Sequence, residues 1–394
     1  MAHGHSVRLA APARFEGLIT SSGVPFAPFA GNPEELSRQM NNAGHNFIKI
    51  MSEIMSHALE IGEDIFHQTE EYCKDADLII HTFLHAVGGH TLARQKNIPD
   101  VHVQLFPMFT PTRDYPNVTM PNFGFGQLNQ LTHRFASRAT WIMSKWGFEY
   151  VRRRAGLPRQ RLYWPFDQSS LRPRTPILCA WSPSVVPPSR DWPPHVHVTG
   201  YLFGKYDVGY RATAELQRFL DAGEPPVCVS FGSMLNRDAS KMDQIIREAL
   251  MQTNNRGVVL SGWSEVTHVP SNKFLYLKAV PHAWLLPRCR MILHHGGAGT
   301  TSAGLRAGIP NIVIPHTADQ PFWGSRVHAL GAGPKPIPVK KLTIENLMQA
   351  IAGAEDALLR KDAQAIGQKL SQEDGVKESV ACIEKYSDEF HRQR

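Results

Sequence analysis

Long apolar runs are missing from this sequence. No window of its 394 residues approaches the roughly 18 consecutive apolar side chains of a membrane-spanning helix. An architecture built on such helices is therefore not expected. Cysteine is scarce: Cys73, Cys179, Cys228, Cys289 and Cys382 are scattered, with neither CxxC nor metal-ligand spacing. An odd, dispersed set argues against a disulfide framework and a zinc cluster, and suggests reduced thiols in a cytoplasmic compartment. No Walker lysine follows the glycine turn at 296–299, which removes the P-loop ATPase reading. The dinucleotide spacing is absent as well, because Gly297-Ala298-Gly299 runs into Thr300-Thr301-Ser302. Asp75-Ala76-Asp77 has the letters of a metal-binding DxD but precedes its strand, so it reads as a solvated helix-to-strand corner and no metal is expected.

The chain is long enough for two domains. Its charge is uneven: 42 Lys and Arg against 35 Asp and Glu give a formal +7. Much of the excess lies in 134–161, where Arg152-Arg153-Arg154, Arg159 and Arg161 neighbour Trp141, Trp146 and Phe148. No nucleic-acid motif accompanies them, so nucleic acid is not expected as a partner. The stretch reads as a solvated basic helix face or as a peripheral contact with anionic lipid headgroups.

Residues 291–324 organise the rest. Met291-Ile292-Leu293 is a buried strand that stops at His294-His295. Gly296-Gly297-Ala298-Gly299 forms a turn that tolerates positive φ and close approach of a ligand. Thr300 opens a helix, Gly308 suits the position after it, and Pro310 leads into a strand at Asn311–Ile314. The free N–H groups and positive dipole end at Thr300 point where a diphosphate can sit. The remaining text alternates strand and helix, giving an α/β, doubly wound pattern. Ile48, Met51, Ile54, Met55, Leu59 and Ile61 recur at helical spacing and read as core. Asp77–His81 is a strand whose carboxyl end sets His81 and His85 at or near a ligand crevice.

The string His295-Gly296-Gly297-Ala298-Gly299-Thr300, then Gly308-Ile309-Pro310, Pro315 and Asp319-Gln320, resembles the donor signature of UDP-sugar-dependent glycosyltransferases. Val280-Pro281-His282 before it and Gly331-Ala332-Gly333-Pro334 after it agree, and the wording is nearest to the sterol 3-β-glucosyltransferase branch and its bacterial lipid and macrolide relatives. The resemblance implies a GT-B fold, two Rossmann-like domains facing a cleft. It divides the chain into an acceptor domain at 1–203, a donor domain at 204–374 and a last helix at 375–394 that crosses back to the first domain. It implies donor contacts from Gly232, Ser233, Val280, His295, Gly297, Gly299, Thr300, Asp319 and Gln320. It places the acceptor near His81, His85 and the stretch Pro107-Met108-Phe109. Ala279 and Ala303 stand where plant relatives carry a stacking tryptophan and a ribose-binding glutamate, departures that favour the sterol and bacterial branch.

The implied reaction is inverting, metal-independent transfer of a sugar, glucose first, from a UDP-sugar to a hydroxyl of a sterol, terpenoid, lipid or macrolide. The UDP-sugar is a substrate, and no cofactor is implied. In the family a first strand and glycine-rich loop, which carries the catalytic base, come before text like Ala2-His3-Gly4-His5. The expectation is therefore a first domain truncated at its N-terminus, with the base upstream of Met1 and His81 the one candidate within the chain. The alternative is a homologue that binds UDP-sugar and transfers little.

Overall fold

Whether a strand is covered on one face or on both decides most of this architecture. The computed structural model describes residues 3–32, 61–82, 85–120, 125–154, 156, 168, 173–204, 209–231, 239–261 and 271–393. Contacts divide the chain into two units. One holds Met1–Cys179, Ser189–His197 and Lys377–Arg394, and the other holds Ala180–Pro188 and Val198–Val376. The change of unit thus begins at Cys179, earlier in the chain than residue 203.

In the first unit β1 (Leu9–Pro12) and β2 (Phe26–Phe29) pair in parallel as a two-stranded sheet. A separate sheet has the order β3 (Ile79–Thr82), β4 (Asp100–Gln104), β5 (Ile177–Cys179), β6 (Val196–Val198). Its first three strands are parallel, so β3 and β4 need a crossover, supplied by α1 (Ala86–Lys96). Asn97 stops that helix in the left-handed region at φ 56°, a conformation asparagine tolerates better than most residues. Residues 126–154 form a single 29-residue helix, α2 (Gly126–Arg154). From the C-terminal helix Gly375–Arg392, Tyr386 and Phe390 pack with Val101 and Leu178. Arg8 bonds Asp75 at 3.1 and 3.3 Å, so the DxD-like corner is an exposed ion-paired turn. The helical apolar positions Ile48, Met51, Ile54, Met55 and Leu59 lie outside the described residues.

The second unit is built on one five-stranded sheet. Its strands are β7 (Val227–Ser230), β8 (Gly257–Leu260), β9 (Phe274–Leu277), β10 (Met291–His294) and β11 (Asn311–Val313). They lie in the order β11-β10-β7-β8-β9, every pair parallel. The pleat sends alternate residues to opposite faces. Val227, Val229, Met291 and Leu293 join one core with Ile246, Leu250, Leu347 and Ile351 of helices Ala239–Gln252 and Ile344–Ala354. Cys228, Val258 and Ile292 join the other, with Leu216, Leu285 and Leu286. All four residues of β7 and of β10 are buried, as strands covered on both faces must be. The helices are locally specified too: Thr343 and Asn346 form a capping box, and Asp356 caps the helix Ala357–Gln372. This is a doubly wound sheet whose order reverses between β7 and β10, and ligands of such sheets sit beyond the carboxyl ends at that reversal.

Candidate donor site

Ser230 and His294 are register partners at the last positions of β7 and β10, so the chain leaves the sheet at the reversal through Phe231 and His295. His294 is fully buried and bonded through both ring nitrogens. Its Nε2–H donates to Asn311 Oδ1 at 3.1 Å, and its Nδ1 accepts from the Gly296 N–H at 3.1 Å. Asn311 in turn donates to the Ile309 carbonyl at 2.8 Å. This chain of bonds ties the turn to the neighbouring strand. Gly296 takes φ 91°, and a Cβ there would come 2.7 Å from Val313 Cγ1 and 3.0 Å from the Gln320 carbonyl. Positive φ and crowding together make glycine necessary. The crowding also packs the turn directly against Gln320.

The helix after the turn is α3 (Ala298–Arg306), starting two residues before Thr300. Gly297 is its N-cap, extended at φ −63° and ψ 145°, and Ala298 is a strong helix former that takes the first position. The first helical bond runs from the Thr301 N–H to the Gly297 carbonyl at 2.9 Å. The N–H groups of Ala298, Gly299 and Thr300 come before it and have no partner within the helix. A glycine cap has no side chain to occupy them, and none of the described residues bonds there. A Cβ at Gly297 would collide with His295 Nε2, while one at Gly299 would meet nothing within 4 Å. His295 therefore lies back over Gly297, and the space in front of Gly299 is open.

The imidazoles around this edge are held neutral. Burial pushes His295 down to about 4, the charge of His316 adding to the effect and the Ser230 carbonyl opposing it. Burial alone takes His316 to about 4. Burial lowers His294 to about 3 and lowers His282, whose Nε2 lies 3.2 Å from Ser230 Oγ. His316 rests against the Phe231 ring at 6.0 Å between centroids. Of this set the sequence singled out His295. The histidines at the ends of neighbouring segments, His282, His294 and His316, were the available signal for the others.

Asp319 and Gln320 stand where helix α4 (Gln320–Ala329) begins. Asp319 makes no side-chain cap bond; its Oδ2 accepts from Trp323 Nε1 at 2.8 Å, and Trp323 is fully buried. Burial raises the Asp319 carboxyl above its ordinary range, with the Trp323 bond opposing. Gln320 Oε1 accepts from the N–H groups of His316 and Thr317 at 2.8 and 3.2 Å, bracing the loop that carries His316. The structure thus brings His295, Gly297, Gly299, Thr300 and Gln320 to one edge, with Asp319 next to them in the chain. Val280 is buried in the core beneath β9. Gly232 and Ser233 lie outside the described residues.

The acceptor candidates of the first unit are placed less openly. His81 is 4% exposed, not at an accessible strand end: its Nε2 and His90 Nδ1 both bond Asp100 Oδ2, at 2.9 and 2.8 Å. Thr175 donates to the other Asp100 oxygen at 3.1 Å. Burial works against the Asp100 charge, yet His90 and His81 outweigh it and hold the carboxyl well below its usual range. These three side chains also converge as metal ligands do, but in this arrangement their donor atoms are spent on one another. A base for an incoming hydroxyl must be reachable, and this imidazole is not. Phe109 is likewise buried, edge-on to His102 at 5.6 Å, which makes it core instead of a wall for a ligand. Met108 is half-buried and Pro107 buried. His85 stacks on Phe29 at 5.0 Å.

Residues 255–383 match the erythromycin biosynthesis protein CIII-like C-terminal domain family. Over 401 residues the chain is 34% identical to the sterol 3-β-glucosyltransferase UGT80A2 of Arabidopsis thaliana, covering 98% of this chain but only 61% of that protein. It is 31% identical over 405 residues to the O-mycaminosyltylonolide 6-deoxyallosyltransferase of Streptomyces fradiae, covering 98% of this chain and 92% of that enzyme. The crystallised kitacinnamycin glycotransferase shares the fold, with a TM-score of 0.69 at 18% identity over 98% of this chain and 92% of that one. Matching the Streptomyces enzyme over most of both chains and carrying this turn at the reversal of its second sheet, the chain belongs to the UDP-sugar-dependent glycosyltransferases of the GT-B fold.

Proposed function

We propose that the chain transfers a sugar, glucose in the first instance, from UDP-sugar to a hydroxyl of a lipophilic acceptor such as a sterol, with inversion and without a metal. The observation that carries this reading is the edge at His295–Thr300, where open N–H groups at a helix start meet an imidazole kept neutral. In the reaction the acceptor oxygen bonds to the anomeric carbon and gives up its proton to a base or to solvent water, while the bond from that carbon to the diphosphate oxygen breaks and its electron pair leaves with UDP. Negative charge then grows on the departing UDP. The N–H groups of Ala298, Gly299 and Thr300 are preorganised for that charge, and groups fixed in place cost no reorganisation at the moment of reaction. His295, as a neutral ring, has one N–H, which it can give to the diphosphate by releasing the Ser230 carbonyl. Asp319, with one oxygen on Trp323, offers the other to sugar hydroxyls. The lipophilic acceptor is supported by the names of two relatives, a sterol and a macrolide sugar transferase.

The test is UDP release from UDP-glucose with a sterol acceptor, beside UDP binding by calorimetry. His295→Ala is expected to lower the turnover rate by roughly 10²–10³-fold, the usual loss when one such donor is removed. Asp319→Ala is expected to lose sugar discrimination while still binding UDP. Full transfer by Asp319→Ala would remove the sugar-binding role. Binding of UDP with no turnover under any acceptor would make the chain a UDP-sugar-binding homologue.

A further inference from the structure

Helix α2 turns its large apolar residues outward. Leu128, Leu131, Phe135, Ile142 and Trp146 recur at helical spacing and, at about 100° per residue, share an arc of roughly 60°. Phe135, Ile142 and Trp146 are 64, 70 and 79% exposed. The buried side of the same helix holds Asn129, Thr132, His133 and Ala136. This is the reverse of what packing onto a protein core would select. The stripe runs from Leu128 to Trp146, about 27 Å of helix. Beside it, on one flank, stand Arg134, Arg138 and Lys145, all exposed. The helix carries six Arg and Lys residues, and Glu149 is its single acid. Next to the stripe is an open hollow of ≈ 660 Å³ lined by Pro111, Leu131, Arg134, Phe135, Ser137 and Arg138.

We infer that this face of α2 docks the first unit onto an anionic lipid surface. The helix would lie in the plane of the headgroups, with Ile142 and Trp146 among the acyl chains and Arg134, Arg138 and Lys145 on lipid phosphates. An apolar stripe flanked by cations is the pattern of an interfacial helix, and tryptophan favours that boundary. Among the described residues no helix is long and apolar enough to cross a membrane, so the contact is one of lying on the surface. Charge selects the occupant. A second copy of this chain would bring the cationic row against its own like, with Glu149 alone to offset it. The lining of the hollow mixes apolar Pro111, Leu131 and Phe135 with the guanidinium groups of Arg134 and Arg138, a combination that suits a phosphate and its first methylenes. The inference uses nothing of the donor site, so its failure and that of the transfer reading are separate.

The experiment is flotation with vesicles of phosphatidylcholine carrying one-third phosphatidylglycerol, against phosphatidylcholine alone. Two double variants are compared: Ile142→Glu with Trp146→Glu, and Arg138→Glu with Lys145→Glu. All four positions are exposed, and unchanged circular dichroism and melting will show that the fold is kept. The unaltered chain is expected to float with the anionic vesicles only, and less so as salt rises. Each variant pair is expected to weaken partition by at least roughly tenfold. No flotation of the unaltered chain, or flotation of both variants equal to that of the unaltered chain, overturns the inference. A dimer in solution that Trp146→Glu converts to monomer gives the face to a second copy and overturns it as well.

Discussion

His294 accepts at Nδ1 and donates at Nε2, so only its neutral tautomer satisfies both neighbours. His294→Ala removes both bonds, strands a buried Asn311 oxygen and the Gly296 N–H, and leaves a cavity. A loss of about 3 kcal/mol is expected, read as a lower urea midpoint near neutral pH. His295→Ala, at a half-buried position with an open front, should cost far less stability and show its effect in UDP binding. The doublet looks uniform in the sequence, yet the two rings face different tasks. Only the signature position was legible there, because the partner of the first ring, Asn311, is brought to it by strand register. Asp100 teaches the same: His81 reaches it from a neighbouring strand, His90 from a helix and Thr175 from the segment before β5, distances that no spacing rule encodes.

The helix α3 starts on a glycine cap that leaves its first N–H groups open. An acid in the first turn would meet the dipole there. Thr300→Glu is therefore expected to raise apo stability by about 0.3–1 kcal/mol, while repelling a diphosphate and weakening UDP binding by at least roughly tenfold. Melting temperature and calorimetric titration would move in opposite directions; a variant that binds UDP normally would place the diphosphate elsewhere. The strand, turn and helix of this element were legible because glycine, proline and apolar runs punctuate them. The two-residue difference in the helix start arose because Ala298 and Gly299 read as turn residues, whereas Gly297 serves as an N-cap and the helix follows at once. On α2 the sequence showed arginines and tryptophans but not which of them face outward. That follows from what packs against the helix: Arg152 proves buried and Trp146 exposed.

At the scale of the whole chain, buried neutral histidines set the response to acid. Burial holds His294 at about 3 and His295 and His316 at about 4, and lowers His90 and His102 in the other unit. Unfolded histidine titrates near 6.5, so below that pH the unfolded chain binds more protons than the folded one. Stability is therefore complete above about pH 6.5 and falls as pH drops toward the folded values, by up to about 1.4 kcal/mol per pH unit for each histidine. Asp100 acts in a lower window. Its contribution is present above the unfolded aspartate value of about 3.9 and is lost only as pH falls below it. A melting series from about pH 8 to about pH 4 should show this decline, and a flat profile would contradict the buried neutral rings. The two-unit α/β plan was legible from strand–helix alternation, and the return of the last helix to the first unit only through the family resemblance; this exchange of segments is written in contacts of Tyr386 and Phe390 with residues hundreds of positions earlier, which no local pattern reveals. That exchange bears on how the protein is made. Synthesis runs from the N-terminus, and the unit begun first receives its last segment, Lys377–Arg394, only after Val376 has completed the other. The first unit's sheets must therefore wait for their last helix, and chains released at Val376 should carry a finished second unit and a first unit still lacking part of its core.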